Sequence, residues 1–212
     1  MISNKKRFIF VHIPKTGGNS ITTALDQYSD DKLMYVRPNS DGMYDGISVF
    51  NKKFNKIRKH SKLNEIEQYY DLNKYFKFSV VRNPWDKILS WYFYHEKFNN
   101  IKNFDEFLDL IFIKKEVPKV SKDDISWYES QISFLKDKSG KINIDYIIKF
   151  ENFSNDFEIL CDKLKINKIE LPHTNKSKNS EIDYREFYNE KQKDFVGEIY
   201  IEDIEYFKYK FD

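Results

Sequence analysis

The sequence predicts an α/β fold in which a central, mostly parallel sheet is flanked by helices in three layers. Three observations predict it. Short apolar runs at 8–13 (FIFVHI), 76–81 (FKFSVV) and 145–150 (DYIIKF) have the length and the boundaries of buried strands. Each is followed by a segment whose apolar residues recur at helical spacing. Strands that alternate with helices build parallel β-α units packed in layers.

The first strand runs into Pro14-Lys15-Thr16-Gly17-Gly18, and Ile21, Ala24, Leu25 and Tyr28 then mark an amphipathic helix at i, i+3, i+4, i+7. Between 29 and 62 the pattern places only a strand near 47–50 and a basic stretch, NKKFNKIRKHSK. Asn64 followed by Glu67 reads as a helix start, with Leu63, Ile66, Tyr69 and Tyr70 on its apolar side. The second strand ends at Arg82. Asn83 then caps a helix that Pro84 opens, with Trp85, Ile88, Leu89, Tyr92 and Phe93 as its core face. Further helices are expected around 103–113 and 123–136. The third strand leads into a helix carrying Phe153, Phe157, Leu160, Cys161 and Leu164, and the tail from about 184 reads as one or two helices.

A chain of 212 residues with 40% hydrophobic and 17% aromatic content can bury a real core, and residues 1–212 are expected to form one domain. No linker, low-complexity tract or repeat divides it. The net charge of only +2, from 36 basic and 34 acidic residues, argues against a nucleic-acid or other bulk polyanion binder and leaves room for a local basic pocket. The single cysteine, Cys161, allows no internal disulfide and falls in an apolar helical register, as a small packed hydrophobe would. No apolar run approaches the ~20 residues of a membrane span. The N-terminal MISNKKRFIFVHIPKTGG imitates a signal peptide, but its apolar run is too brief, so it reads as a first strand and the expected location is the cytoplasm.

Ligands of parallel α/β sheets bind at the carboxyl ends of the strands, and two of the three strands end in unusual chemistry. In the first loop Gly17 and Gly18 allow a sharp turn and a close approach. The helix behind them directs N–H groups into the same space, Thr16, Asn19 and Ser20 add short side-chain donors, and Lys15 adds a mobile positive charge. Together they suit a phosphate-like anion. Alone, the loop fits equally well a glycine-rich βα turn with a solvated lysine. The nucleotide P-loop pattern G-x-x-x-x-G-K-[ST] is absent: no lysine follows the glycines, and Ile13 stands where the first glycine belongs. At the second strand end, the Arg82 guanidinium can hold a phosphate bidentately and Ser90, two turns on, can donate to the same group. Alone, Arg82 reads better as a locally paired arginine. Together the two elements suit a ligand with two separated anionic groups.

HIPKTGGNS resembles the 5′-phosphosulfate-binding loop of sulfotransferases, and FSVVRNPWDKILSWYFYH resembles their 3′-phosphate-binding strand and helix. DYIIKFENFSNDFE, LPHTNKS and YREFYNEKQKDFVGEIYIEDIEYFKYKF are similar to the rest of the family, so the likeness covers nearly the whole chain in order. It is closest to the family-2-type group, which includes the glycan sulfotransferases. Compared with the common PKTGGTS form, Asn19 replaces a threonine, and both side chains can donate a hydrogen bond.

The resemblance implies a P-loop-like three-layer fold and transfer of a sulfuryl group from 3′-phosphoadenosine 5′-phosphosulfate (PAPS) to a hydroxyl, with 3′,5′-adenosine bisphosphate (PAP) as product and no metal. Lys15 is then the candidate for the bridging and leaving oxygen. The N–H groups of residues 16–20 would hold the 5′-phosphate, and Arg82 with Ser90 the 3′-phosphate. Lys176 and Ser177, in HTNKSKNS, would touch the donor, although as plain sequence this is a solvated loop.

A neutral acceptor hydroxyl benefits from a general base. Of the four histidines, His12 lies inside the first strand and reads as packed and hydrogen-bonded. His173 sits in a loop, and His95 can face core or solvent. His60 lies between the two donor motifs, where family members carry a similar histidine, and it is the first choice for the base.

The acceptor is expected to be a saccharide or glycan. Trp91, Tyr92, Phe93, Tyr94, Trp127 and the basic stretch could line a sugar site, and the aromatics could equally be core. Two other readings compete. A P-loop nucleotide kinase-like phosphotransferase requires ATP and Mg²⁺, and a passive polyanion-binding module would use KKFNKIRKHSK. The sequence does not specify an oligomeric state.

Overall fold

The computed structural model describes residues 1–36, 46–51, 56–96, 101–116, 127–171 and 182–212, with backbone only at 32–36, 46–51, 95 and 96. The chain divides into two compact units, Met1–Val81 with Ser133–Asn175, and Arg82–Ile132 with Lys176–Asp212.

The first unit is built on a four-stranded sheet ordered β1-β2-β5-β6. β1 (Ile2–Ser3) runs antiparallel to β2 (Phe8–Val11), with Ile2 opposite Ile9. β2 pairs parallel with β5 (Phe76–Val81) from Phe8↔Phe76 to Val11↔Ser79, and β5 pairs parallel with β6 (Tyr146–Lys149) from Phe78↔Tyr146 to Val81↔Lys149. The three expected strands are therefore the three parallel ones. All four residues of β2 are buried, as a strand covered on both faces requires.

Between β2 and β5 lie α1 (Gly18–Ala24), a 3₁₀ turn at Asp26–Tyr28, the antiparallel pair β3 (Asp31–Val36) and β4 (Gly46–Asn51), and α2 (Leu63–Ile66). The expected first helix is thus split: Ile21, Ala24 and Leu25 pack in the core as the spacing requires, while Tyr28 belongs to the 3₁₀ turn. The second helix starts earlier than Asn64. Glu65 closes its N-terminus by accepting the Lys62 N–H at 3.0 Å.

After β6, a 3₁₀ turn at Phe150–Asn152 leads into α6 (Phe153–Lys163). Phe157, Leu160 and Cys161 of α6 join Ile21, Ala24 and Leu25 against Phe8, Phe10, Phe78, Val80 and Ile148, so α1 and α6 cover one face of the sheet. Cys161 is fully buried and burial pushes its thiol up, which bears out its reading as a packed hydrophobe.

The second unit is helical. α3 (Pro84–Glu96) begins where expected: Pro84 opens it and Asn83 Oδ1 accepts the Trp85 N–H at 3.1 Å. α4 (Phe104–Leu108) continues as a π-turn over Asp109–Ile113. Of the helix expected over 123–136, residues 123–126 lie outside the described residues, 127–130 form a turn rather than helix, and only α5 (Gln131–Leu135) is helical, its last three residues belonging to the first unit. The tail folds as α7 (Tyr184–Phe187), α8 (Glu190–Ile199) and α9 (Ile201–Phe207), one helix more than the spacing suggested. Trp91, Tyr92, Phe93 and Trp127 sit in this unit's aromatic core with Phe104, Phe107 and Tyr188. Of the two readings open for them, the core is the one the structure shows, and Trp91 meets Phe107 edge-on at 5.3 Å.

Candidate active site

In the first unit, the turn after β2 has two residues in the left-handed region: Lys15 at φ 64° and Gly17 at φ 82°. For lysine this conformation costs about 1–2 kcal/mol, so the surrounding structure holds it there against its preference. Thr16, fully buried, donates its hydroxyl to the Ile13 carbonyl at 2.9 Å and so ties the turn to the strand. Gly17 is required twice over: its φ suits only glycine without strain, and a Cβ there would stand 2.9 Å from Cε2 of Phe150.

Gly18 opens α1. A Cβ on it would lie 2.3 Å from Cδ2 and 2.4 Å from Nε2 of His12, so the imidazole lies directly against the loop backbone. The Ser20 N–H closes onto the Gly17 carbonyl at 3.1 Å, and Thr22 Oγ1 donates to the Gly18 carbonyl at 2.8 Å. Helix geometry leaves the remaining N–H groups of the first turn without intrahelical acceptors. Asn19 Oδ1 is enclosed and has no partner among the described residues.

His12 is packed as expected, 4% exposed, stacked on Phe10 at 5.4 Å and met edge-on by His60 at 4.7 Å. It is not hydrogen-bonded as expected: its Nδ1 has no partner among the described residues. His60, half-buried, places its Nδ1 2.8 Å from the His12 carbonyl oxygen. A carbonyl can only accept, so His60 carries its proton on Nδ1 and holds the lone pair on Nε2. Burial and the neighbouring Lys59 charge lower its pKa to about 3, and burial together with the His60 and Lys59 charges takes His12 well below its usual value. Both rings are neutral at pH 7.

In the second unit, Arg82 sits at the head of α3. Its Nε and Nη2 hold Asp86 Oδ2 and Oδ1 at 2.7 and 2.8 Å, a bidentate i,i+4 pair. The local pairing that the sequence allowed is therefore present, and it uses two of the five guanidinium N–H groups. Ser90, half-buried, lies one turn beyond Asp86 on the same face of α3. The main chain of Arg82 is clasped by Gln131: the Arg82 N–H donates to Oε1 at 2.9 Å and Nε2 donates to the Arg82 carbonyl at 2.8 Å. Gln131 had no signal in the sequence, because a lone glutamine inside an expected helix carries none.

The structure thus brings the loop, His12 and His60 together in the first unit, and in the second it pairs Arg82 with Asp86, one turn before Ser90 on α3. Lys176, Ser177 and His173 lie outside the described residues, as does the side chain of His95. No described helix is long and apolar enough to cross a membrane. A family model described as "Sulfotransferase family" matches residues 1–210. No curated protein and no solved structure matches the chain.

Proposed function

This chain belongs to the sulfotransferase family, and we propose that it moves a sulfuryl group from PAPS to a hydroxyl of a saccharide or glycan by in-line transfer, with His60 as general base. The observation that carries the choice of base is the 2.8 Å contact between His60 Nδ1 and the His12 carbonyl, which supports Nε2 as the nitrogen that takes the proton.

In-line sulfuryl transfer, like phosphoryl transfer, is catalysed mainly by positioning and by stabilising charge on the moving group and the leaving oxygen. Lys15 neutralises charge on the bridging and leaving oxygen, and its left-handed backbone supports a role that overrides local preference. The N–H groups of residues 16–20 serve the 5′-phosphate, with that of Ser20 shared with the Gly17 carbonyl. Thr16 contributes through its main chain, since its hydroxyl is committed to Ile13. Arg82 and Ser90 take the 3′-phosphate. Lys176 and Ser177 complete the donor contacts by resemblance alone.

A base whose conjugate acid has a pKa near 3 is neutral but weak. Anionic donor oxygens at the loop oppose the Lys59 charge and raise the basicity of His60 toward the range that proton transfer needs. The acceptor hydroxyl then gives its proton to Nε2 as its oxygen attacks sulfur, the S–O bond to the 5′-phosphate breaks, and PAP leaves. The expected setting is the cytoplasm.

The test is transfer of labelled sulfate from PAPS to a panel of sugar acceptors. His60→Ala is expected to leave PAP affinity within about twofold and to lower turnover at least about tenfold. Unchanged turnover would remove His60 from the mechanism.

A further inference from the structure

The second unit buries an unusual set of polar side chains: Gln131 and Asp203 are fully buried, and Lys87 and Tyr200 are 1% exposed. Groups of this kind are costly to bury unless fully bonded, and Lys87, Tyr200 and Asp203 each bond to one short segment, 127–132, which carries Gln131. Lys87 Nζ donates to the Trp127 carbonyl at 3.0 Å and lies 5.3 Å over the Tyr200 ring. Tyr200 Oη donates to the Tyr128 carbonyl at 2.7 Å. The Asp203 carboxylate accepts the N–H groups of Gln131 and Ile132 at 2.7 and 2.9 Å. Four contacts, from α3 and from the start of α9, therefore fix the backbone that carries Gln131.

Gln131 turns its whole side-chain amide to the main chain of one residue, Arg82. The parallel ladder of β5 ends at Val81↔Lys149, so Arg82 is the first residue beyond it, and the Gln131 amide supplies the donor and acceptor that a neighbouring strand would have supplied. The Asp86 fork then fixes the guanidinium one turn into α3. An arginine side chain carries about 2 kcal/mol of rotamer entropy when free, and an anion that binds it must meet the cost of ordering it. Here both ends are ordered beforehand.

We infer that Gln131 is a positioning residue for Arg82: its buried side-chain amide, carried on a backbone that Asp203 holds, sets the guanidinium for recognition of the donor's 3′-phosphate. The inference rests on the reading that Arg82 binds that phosphate. The readout is the ratio of dissociation constants for 5′-AMP and PAP, measured by calorimetry on the full chain, because a merely structural loss lowers both affinities alike. Gln131→Met, which keeps the volume and removes both hydrogen bonds, is expected to weaken PAP about tenfold and leave 5′-AMP within about twofold. Gln131→Glu, which keeps the acceptor for the Arg82 N–H, should fall between Gln131→Met and the native protein. It carries the test if the methionine variant does not fold, with at least a threefold drop in the ratio expected. Equal weakening of PAP and 5′-AMP, or an unchanged ratio, overturns the role of Gln131 provided Arg82→Ala collapses the ratio. If Arg82→Ala leaves the ratio unchanged, the 3′-phosphate assignment fails and the inference with it.

Discussion

Replacing Gly18 by alanine should change sign with the residue at position 12. Gly18 is not in the left-handed region, so its backbone accepts alanine, and in a helix alanine is favoured over glycine by up to about 1 kcal/mol. The obstacle is the imidazole: the new methyl would stand 2.3 Å from His12 Cδ2, where carbon–carbon contacts settle near ~3.5–4.0 Å. The ring is held between Phe10 and His60 and cannot swing aside without disturbing both. Overpacking of this kind costs about 1–3 kcal/mol, so Gly18→Ala should destabilise the native protein by about 1–2 kcal/mol. In a His12→Ala background the obstacle is gone and the same change should stabilise by up to about 1 kcal/mol. The coupling, roughly 2 kcal/mol, is well above the ~0.3–0.5 kcal/mol within which independent sites add. Urea unfolding of the four proteins at pH 7.5, with constant m-values, measures it. Equal effects in the two backgrounds, or a neutral Gly18→Ala in the native protein, would refute the packing of His12 against the loop.

Two further outcomes follow from the same loop. Lys15→Gly removes the left-handed strain, worth about 1–2 kcal/mol, at a similar entropic cost, so the melting temperature should hold or rise while sulfate transfer collapses; a parallel loss of stability and activity would mean that Lys15 is chiefly structural. The folded protein keeps His60 neutral down to pH about 3 whereas the unfolded chain protonates it near 6.5, so its contribution is complete above pH 6.5 and is lost as pH falls toward 3. Stability should therefore drop by on the order of 1.4 kcal/mol per pH unit from this ring, with His12 adding in the same direction. His60→Phe should flatten the slope between pH 6 and 4 in urea titrations, and an unchanged slope would contradict the buried neutral pair.

The parallel strands were legible because each is a continuous apolar run with sharp boundaries, and α3 because Asn83-Pro84 is a strong start. β1 was not: two residues have no periodicity, and only the pairing of Ile2 with Ile9 defines them. The start of α2 was displaced because the residue before it, Lys62, is no usual cap, and the closing carboxylate belongs to Glu65 rather than Glu67. The aromatic run after Ser90 fits core and sugar site alike, and only burial separates the two. The loop glycines were legible as a turn, but the ring that makes Gly18 obligatory is a tertiary neighbour. Long-range partners were hidden for the same reason: His60 finds its carbonyl 48 residues away and Gln131 its peptide 49 away.

The proposed donor carries phosphates at both 3′ and 5′ positions. Calorimetric titration of the native chain with PAP, 5′-AMP and ATP–Mg²⁺ tests it most directly. PAP is expected to bind without added metal, at least about tenfold tighter than 5′-AMP and tighter than ATP–Mg²⁺, since a charge-assisted hydrogen bond to a phosphate contributes roughly 1.5–3 kcal/mol. Equal affinity for PAP and 5′-AMP, or preference for ATP–Mg²⁺, would contradict it.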